Sequence, residues 1–259
     1  MLLQTDQIKM YFGGIKAIDG VNFSVQPHTI HSVIGPNGSG KTTLFNVITG
    51  FYRPTSGRID FDGIDITNLK PHAIAEKGMT RTFQTLRLFP NMTVLENIVV
   101  GRHCRIEESL WKSGLRLPTV KKQEKAAFAK GEEVLGTIGL MDKKYQLAAS
   151  LSYGEGRLLE IGRALVSDPK LLLLDEPTAG MNPAETKRVM ELIKNCCHKG
   201  LAIILVEHDM KAVMAYSDRV TVLNHGQKIA EGTPEEIQTN EGVIAAYLGK
   251  RRGHHHVDS

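Results

Sequence analysis

The sequence predicts an α/β chain with a parallel sheet, an antiparallel β layer and an inserted α-helical subdomain. Three observations carry this reading. The runs "KLLLLDE" (170–176) and "LAIILVEH" (201–208) are apolar on both faces, as buried parallel strands are. The stretch "GRIDFDGIDIT" (57–67) alternates Ile59, Phe61, Ile64 and Ile66 around Asp62-Gly63, the pattern of an antiparallel hairpin with a two-residue turn. Between these regions, residues 87–166 carry helical spacing and no strong strand signal.

The elements follow in chain order. "QIKMYF", "VNFSV" and "TIHSVIG" read as early strands of the antiparallel layer, and "TTLFNVITG" as the first helix. "VLENIVVG" (94–101) and "KKQEKAAFAKGEEVLGTIGL" (121–140) are helical, the second rich in Lys and Glu as an exposed helix is. "RVTVLNHGQKIAEGTPEEI" (219–237) reads as a hairpin followed by a helix that starts on proline. The division expected is a core of residues 1–86 and 167–250 with the antiparallel layer, a helical subdomain at 87–166, and a polar, disordered tail at 251–259.

Composition narrows the class. A chain of 259 residues holds one large domain, or a domain with a subdomain. With 32 basic against 28 acidic residues, the net charge of +4 is too mild to indicate nucleic-acid binding. Cys104, Cys196 and Cys197 are an odd count containing an adjacent pair, so they read as reduced packing residues rather than a disulfide framework. No apolar run reaches the ~18 residues of a membrane span, and the start has no secretory h-region. The three histidines of "RRGHHHVDS" offer at most weak metal binding.

The chemistry concentrates where strands end. Gly35-Pro36-Asn37-Gly38-Ser39-Gly40-Lys41-Thr42, continued by Thr43, fits the phosphate-binding pattern G-x-x-x-x-G-K-[ST] between the strand "IHSVI" and a helix. Its glycines let backbone N–H groups point at a β-phosphate. Lys41 is expected to reach the β- and γ-phosphates, and Thr42 to offer its hydroxyl to Mg²⁺. Asp175 and Glu176 end the strand "KLLLL", with no cation partner for them visible in the sequence. Asp175 suits Mg²⁺ held through water, and Glu176 suits polarisation of an attacking water. His208 follows "AIILVE" in the same way and is expected at a γ-phosphate. Ligands of open α/β sheets bind outside the carboxyl ends of strands, so three such ends describe one nucleotide site. A second helix start, "LSYGE", places Ser152 three residues before Glu155, as a capping box requires.

The motifs "GPNGSGKTT", "TFQ", "LSYGE", "LLLLDEP", "AGMNP" and "VEHD" occur in the order and rough spacing of the ATP-binding cassette family, which the chain resembles over nearly its whole length. The resemblance implies a P-loop NTPase core using ATP and Mg²⁺. It implies that Gln84 contacts Mg²⁺ and senses the transporter, and that an aromatic of the Tyr11-Phe12 pair, Phe12 rather than Tyr11, stacks on adenine. It also implies that two ATPase chains, alike or paralogous, pack head to tail. Ser152 and Gly154 of one chain would then touch the γ-phosphate held by the other. Tyr153 and Glu155 stand where the family has glycine and glutamine, and Asn182 where it usually has aspartate.

"FGGIKAIDGV", "RTFQTLRLFPNMTVLENIVVG" and "EGTPEEI" resemble one branch, the ATPase subunits of branched-chain amino acid importers. That branch implies separate transmembrane permease subunits, one of whose loops docks near Gln84. It further implies an external solute-binding protein and a peripheral position on the cytoplasmic face of the cell membrane. A cassette ATPase for urea, short amides or lipid export, or a soluble cassette protein outside transport, is the alternative. A GTPase is disfavoured by the lack of an "NKxD" motif.

Overall fold

The computed structural model describes residues 1–82, 87–102 and 118–248. Gln84, Cys104 and the tail histidines lie outside the described residues. Strands β1 (Leu3–Phe12), β2 (Ile15–Val25), β4 (Ser56–Phe61) and β5 (Ile64–Asp65) form the expected antiparallel sheet, in the order β2-β1-β4-β5. Asp62 and Gly63 join β4 to β5 with both φ positive, at 53° and 76°. This is the turn geometry that matches strand twist.

The third early strand departs from expectation. β3 (Ile30–Ile34) is buried at every residue. It lies in a second sheet of order β10-β9-β3-β8-β7-β6, with β6 (Met79–Arg81), β7 (Leu171–Asp175), β8 (Ala202–Val206), β9 (Arg219–Asn224) and β10 (Gln227–Gly232). All pairs in this sheet are parallel except β9–β10. "IHSVI" has no polar face to give to solvent, so it takes a central position.

Two-residue periodicity divides the core. Leu171, Leu173 and Ile204 pack on one face of the parallel sheet with Phe23, Phe61 and helix α1 (Lys41–Ile48). Leu172, Leu174, Ile203 and Leu205 pack on the other, with α3 (Val94–Val100), α4 (Pro118–Ile138), α5 (Tyr153–Leu165) and α6 (Pro183–His198). Cys196 and Cys197 are buried there as thiols, matching their reading as packing residues. The short α2 (Pro71–Glu76), which the sequence reading did not anticipate, leads into β6. Helices α3, α4 and α5 approach closely at Gly162, where a Cβ would lie 2.6 Å from Ile98 Cδ1 and 2.8 Å from Ile138 Cδ1. A further cluster joins Ile34 to Val213 of α7 (Met210–Tyr216), Ile237 of α8 (Pro234–Gln238) and Val243 of α9 (Glu241–Leu248).

Candidate functional site

The parallel register brings the predicted strand ends together. Val206 of β8 pairs with Val33 of β3 on one side and Asp175 of β7 on the other. The loops carrying Gly35, Glu176 and His208 therefore leave adjacent positions on one sheet edge.

After β3 the chain turns tightly through Gly35, Gly38 and Gly40, all at positive φ (152°, 79° and 106°). A Cβ on Gly35 would lie 2.1 Å from Leu223 O, whereas at Gly38 it would meet nothing within 4 Å. One glycine is thus required by close packing, and the other leaves the loop's outer side clear. Ser39 N donates to Pro36 O (3.1 Å), and Gly226 N donates to Ser39 O (3.0 Å), which ties the loop to the β9–β10 turn. The Lys41 ammonium donates across the loop to Gly35 O (2.8 Å) and Pro36 O (3.1 Å). Helix α1 begins on Gly40 with no side-chain cap and no acid in its first turn. A helix start of this kind suits an anion, which the helix dipole favours. Residues Gly38 to Thr43 line a cleft of about 330 Å³, with Thr42 exposed and Thr43 half-buried, while the exposed Asn37 and half-buried Pro36 do not line it. The cleft is also lined by Ile15, Lys16 and Ala17, which lie within "FGGIKAIDGV", and by His225; nothing in either stretch signals that they reach the cradle. Phe12 is exposed one turn away, its ring edge-on to Tyr52 with centroids 5.4 Å apart, and does not line the cleft.

At the end of β7 one expectation fails. Asp175 does have a cation partner, Arg81, whose Nη2 donates to Asp175 Oδ2 at 2.8 Å, with both side chains over 90% buried. Arg81 lies on β6, 94 positions away in sequence, and also donates from Nη1 to Asn46 Oδ1 (2.6 Å). Glu176 follows in the left-handed region (φ 49°). Its amide donates to Val206 O (2.9 Å), and its carboxylate accepts from His208 Nε2 (2.8 Å). Glu207 accepts from Thr178 N and Thr178 Oγ1.

Thr42 and Asp175 offer the hard oxygen donors that suit Mg²⁺. No cluster of three or more His, Cys, Asp or Glu side chains forms among the described residues.

The second helix start is a capping box. Glu155 N donates to Ser152 Oγ (3.3 Å), and Ser152 N donates to Glu155 Oε2 (3.0 Å). The Glu155 carboxyl is held below the usual range, chiefly by the Lys143 ammonium 2.6 Å away. Tyr153 crosses to the loop after Glu176: its hydroxyl donates to Ala179 O (3.1 Å) and accepts from Arg157 Nη2 (3.2 Å). Gly154 is buried against α6, where a Cβ would meet Glu185 Oε1 at 2.8 Å. Asn182 caps α6 through Oδ1, which accepts from Ala184 N and Glu185 N (both 3.0 Å).

A phosphate cradle at one strand end, an acidic pair at the next and a histidine at the third define a P-loop nucleotide-hydrolysing core. The pattern described as ABC transporter matches residues 18–179, and the chain belongs to that family of ATP-hydrolysing enzymes. A second pattern, described as branched-chain amino acid ATP-binding cassette transporter, matches residues 227–252. The chain is 45% identical over 250 residues to the high-affinity branched-chain amino acid transport ATP-binding protein LivG of Escherichia coli, covering 96% of this chain and 98% of that protein. It is 43% identical, over the same shares, to the corresponding protein BraF of Pseudomonas aeruginosa. Among solved structures, the ADP conformation of an ATP-binding cassette of an ABC transporter superposes with a TM-score of 0.84 at 37% identity, covering 96% of this chain and 98% of that one.

Proposed function

We propose that this chain is the ATPase subunit of an importer for branched-chain amino acids. It would work as one of two ATPase subunits on the cytoplasmic face of the cell membrane, driving separate permease subunits fed by a solute-binding protein. The observation that carries the substrate class is the 45% identity to LivG over nearly the full length of both chains. Among the described residues no helix is long and apolar enough to cross a membrane, which suits a subunit that borrows its pore.

In this reading the amides from Gly35 to Thr43 and the Lys41 ammonium bind the phosphates, and Phe12 stacks on adenine. For Lys41 this means exchanging the carbonyls of Gly35 and Pro36 for phosphate oxygens. Thr42 and Asp175, with Gln84, would hold Mg²⁺, which when bound neutralises charge on the phosphate oxygens. Glu176 orients and deprotonates the attacking water, and His208 contacts the γ-phosphate. Ser152 and Gly154 serve the partner subunit's ATP, and the N–H groups of the α5 start face it while the capping box is kept. Docking of a permease loop is supported by a cavity of about 550 Å³ lined by Phe51, Thr82, Arg87, Phe89, Glu160 and Arg163, which reaches residues on both sides of the Gln84 segment. Burial lowers the affinity of the Arg163 guanidinium for its proton. The division into a core (1–86 and 167–250), a helical subdomain (87–166) and a tail (251–259) follows this assignment.

The test is reconstitution with candidate permease subunits and a solute-binding protein. ATP-dependent uptake of leucine, isoleucine and valine, with turnover above that of the isolated chain, is expected. Uptake of an unrelated solute with no response to these three would overturn the substrate assignment. Equal turnover with and without permease would overturn the coupling, which must be reciprocal between the two partners.

A further inference from the structure

Glu207 has no part in the mechanism above, yet its carboxylate is among the most completely engaged in the chain. The residue is only 4% exposed. Its Oε1 accepts from both Thr178 N (3.0 Å) and Thr178 Oγ1 (2.7 Å), and its Oε2 accepts from His208 N (3.2 Å). A buried carboxylate is costly unless donors compensate it. An apolar residue would close the end of β8 without that cost, so the carboxylate has work beyond packing.

What it joins indicates that work. Thr178 lies two residues after Glu176, and His208 is the next residue after Glu207. Glu176 occupies the left-handed region at φ 49°, a conformation that a non-glycine residue keeps only when its surroundings over-determine it. Three restraints surround it: its amide on Val206 O (2.9 Å), its carboxylate on His208 Nε2 (2.8 Å), and the Thr178–Glu207 clamp on the chain that follows. Together Glu176, Thr178, Glu207 and His208 close a ring of bonds across two loops that leave adjacent strands.

We propose that Glu207 is a positioning residue that fixes Glu176 and His208 relative to each other for hydrolysis. The proposal rests on the roles given above to those two residues. It touches neither nucleotide nor water itself, and acts by tying the loop after β7 to the loop after β8.

The test uses the full chain under single-turnover conditions, which keep slow variants readable. Rate, MgATP affinity and unfolding midpoint are measured for Glu207→Ala, Glu207→Gln and Thr178→Val. Small misplacements of reacting groups cost up to about 100-fold, so Glu207→Ala should lose about 10- to 100-fold in rate with affinity held within about threefold. In Glu207→Gln the amide oxygen can still accept both Thr178 donors, so most of the rate should return. In a His208→Ala background, where the pair no longer exists to be positioned, Glu207→Ala should cost less than about twofold.

Wild-type rate in a folded Glu207→Ala would overturn the proposal. So would a loss that appears in affinity rather than rate, or one that adds in full to that of His208→Ala. Should Glu207→Ala not fold, Thr178→Val, which deletes one donor, carries the test: a rate loss at unchanged affinity supports the clamp, and a wild-type rate refutes it. Failure of the underlying site has a separate signature. Wild-type turnover in His208→Ala and in Glu176→Gln would remove both positioned groups, and the proposal would fall with them.

Discussion

Replacing Arg81 by methionine removes the cation from a carboxylate that has almost no access to solvent. Arg81 and Asp175 side chains are 7% and 6% exposed and 2.8 Å apart. The guanidinium also packs 5.4 Å from the centroid of the Phe45 ring, an apolar contact that methionine partly keeps. The dominant effect is therefore the charge left behind on Asp175. Removing one partner of a buried ion pair costs about 3–5 kcal/mol. At ~2–4 °C per kcal/mol for a chain near this size, the unfolding midpoint should fall by roughly 10 °C. Calorimetry without nucleotide measures this fall. Removing the carboxylate as well, in Arg81→Met with Asp175→Leu, should restore much of it, because a buried pair replaced by apolar residues is often near neutral. With Asp175 in the proposed Mg²⁺-holding role, MgATP would bring positive charge beside it and should raise the midpoint of Arg81→Met more than that of the wild type. A loss under about 1 kcal/mol, the range of an exposed pair, would refute the reasoning. So would a double variant as unstable as the single one.

Other expectations follow from contacts elsewhere. Tyr153→Phe deletes the hydroxyl that bridges Arg157 and Ala179 O and should cost about 0.5–1.5 kcal/mol in denaturant unfolding; no loss would mean the bridge carries no stability. His31 is buried, and desolvation lowers its pKa from 6.5 to about 4. The unfolded chain then binds the proton more readily, so this contribution is complete above pH 6.5 and is lost as pH falls from 6.5 toward 4. The loss is about 2 kcal/mol by pH 5. His31→Gln should flatten stability over that window, and an unchanged slope would assign the acid sensitivity to other groups. A mixed dimer of one Lys41→Ala chain and one Ser152→Arg chain should keep one sound composite site and part of the activity that each mutant homodimer lacks. If the native pair is a heterodimer, one lesion goes in each subunit. A Ser152→Arg homodimer that hydrolyses ATP normally would reduce Ser152 to a helix cap.

The strand ends were legible because buried parallel strands leave unbroken apolar runs, and the polar residue that ends each run stands out. The turn at Asp62-Gly63 was legible from local chemistry, and residues 219–237 as a hairpin followed by a helix. β6 was not, since three residues carry no period. With it went Arg81, whose bond to Asp175 spans 94 positions. Adjacency in sequence assigns β3 to the antiparallel layer, whereas "IHSVI" is buried on both faces and lies in the parallel sheet. Glu207 lies within "VEHD", and nothing in that stretch signals that it reaches Thr178 on the neighbouring loop. Ile15, Lys16, Ala17 and His225 enter the cleft through the meeting of two hairpins, which no single stretch encodes. Tyr153 read as a departure from a motif, and its contact with Ala179 O exists only once α5 is packed against the core.

The most direct measurement of the central assignment compares ATP binding and ATP turnover on the same sample of Glu176→Gln. The carboxylate follows β7, which β8 separates from the strand that carries the cradle, meets His208, and holds no part of the nucleotide in this account. Loss of a positioned base costs about 10²–10⁴-fold in rate. ATP affinity within a few-fold of wild type with turnover lowered by that factor is the predicted result. Wild-type turnover, or turnover lost only in proportion to lost binding, would contradict it.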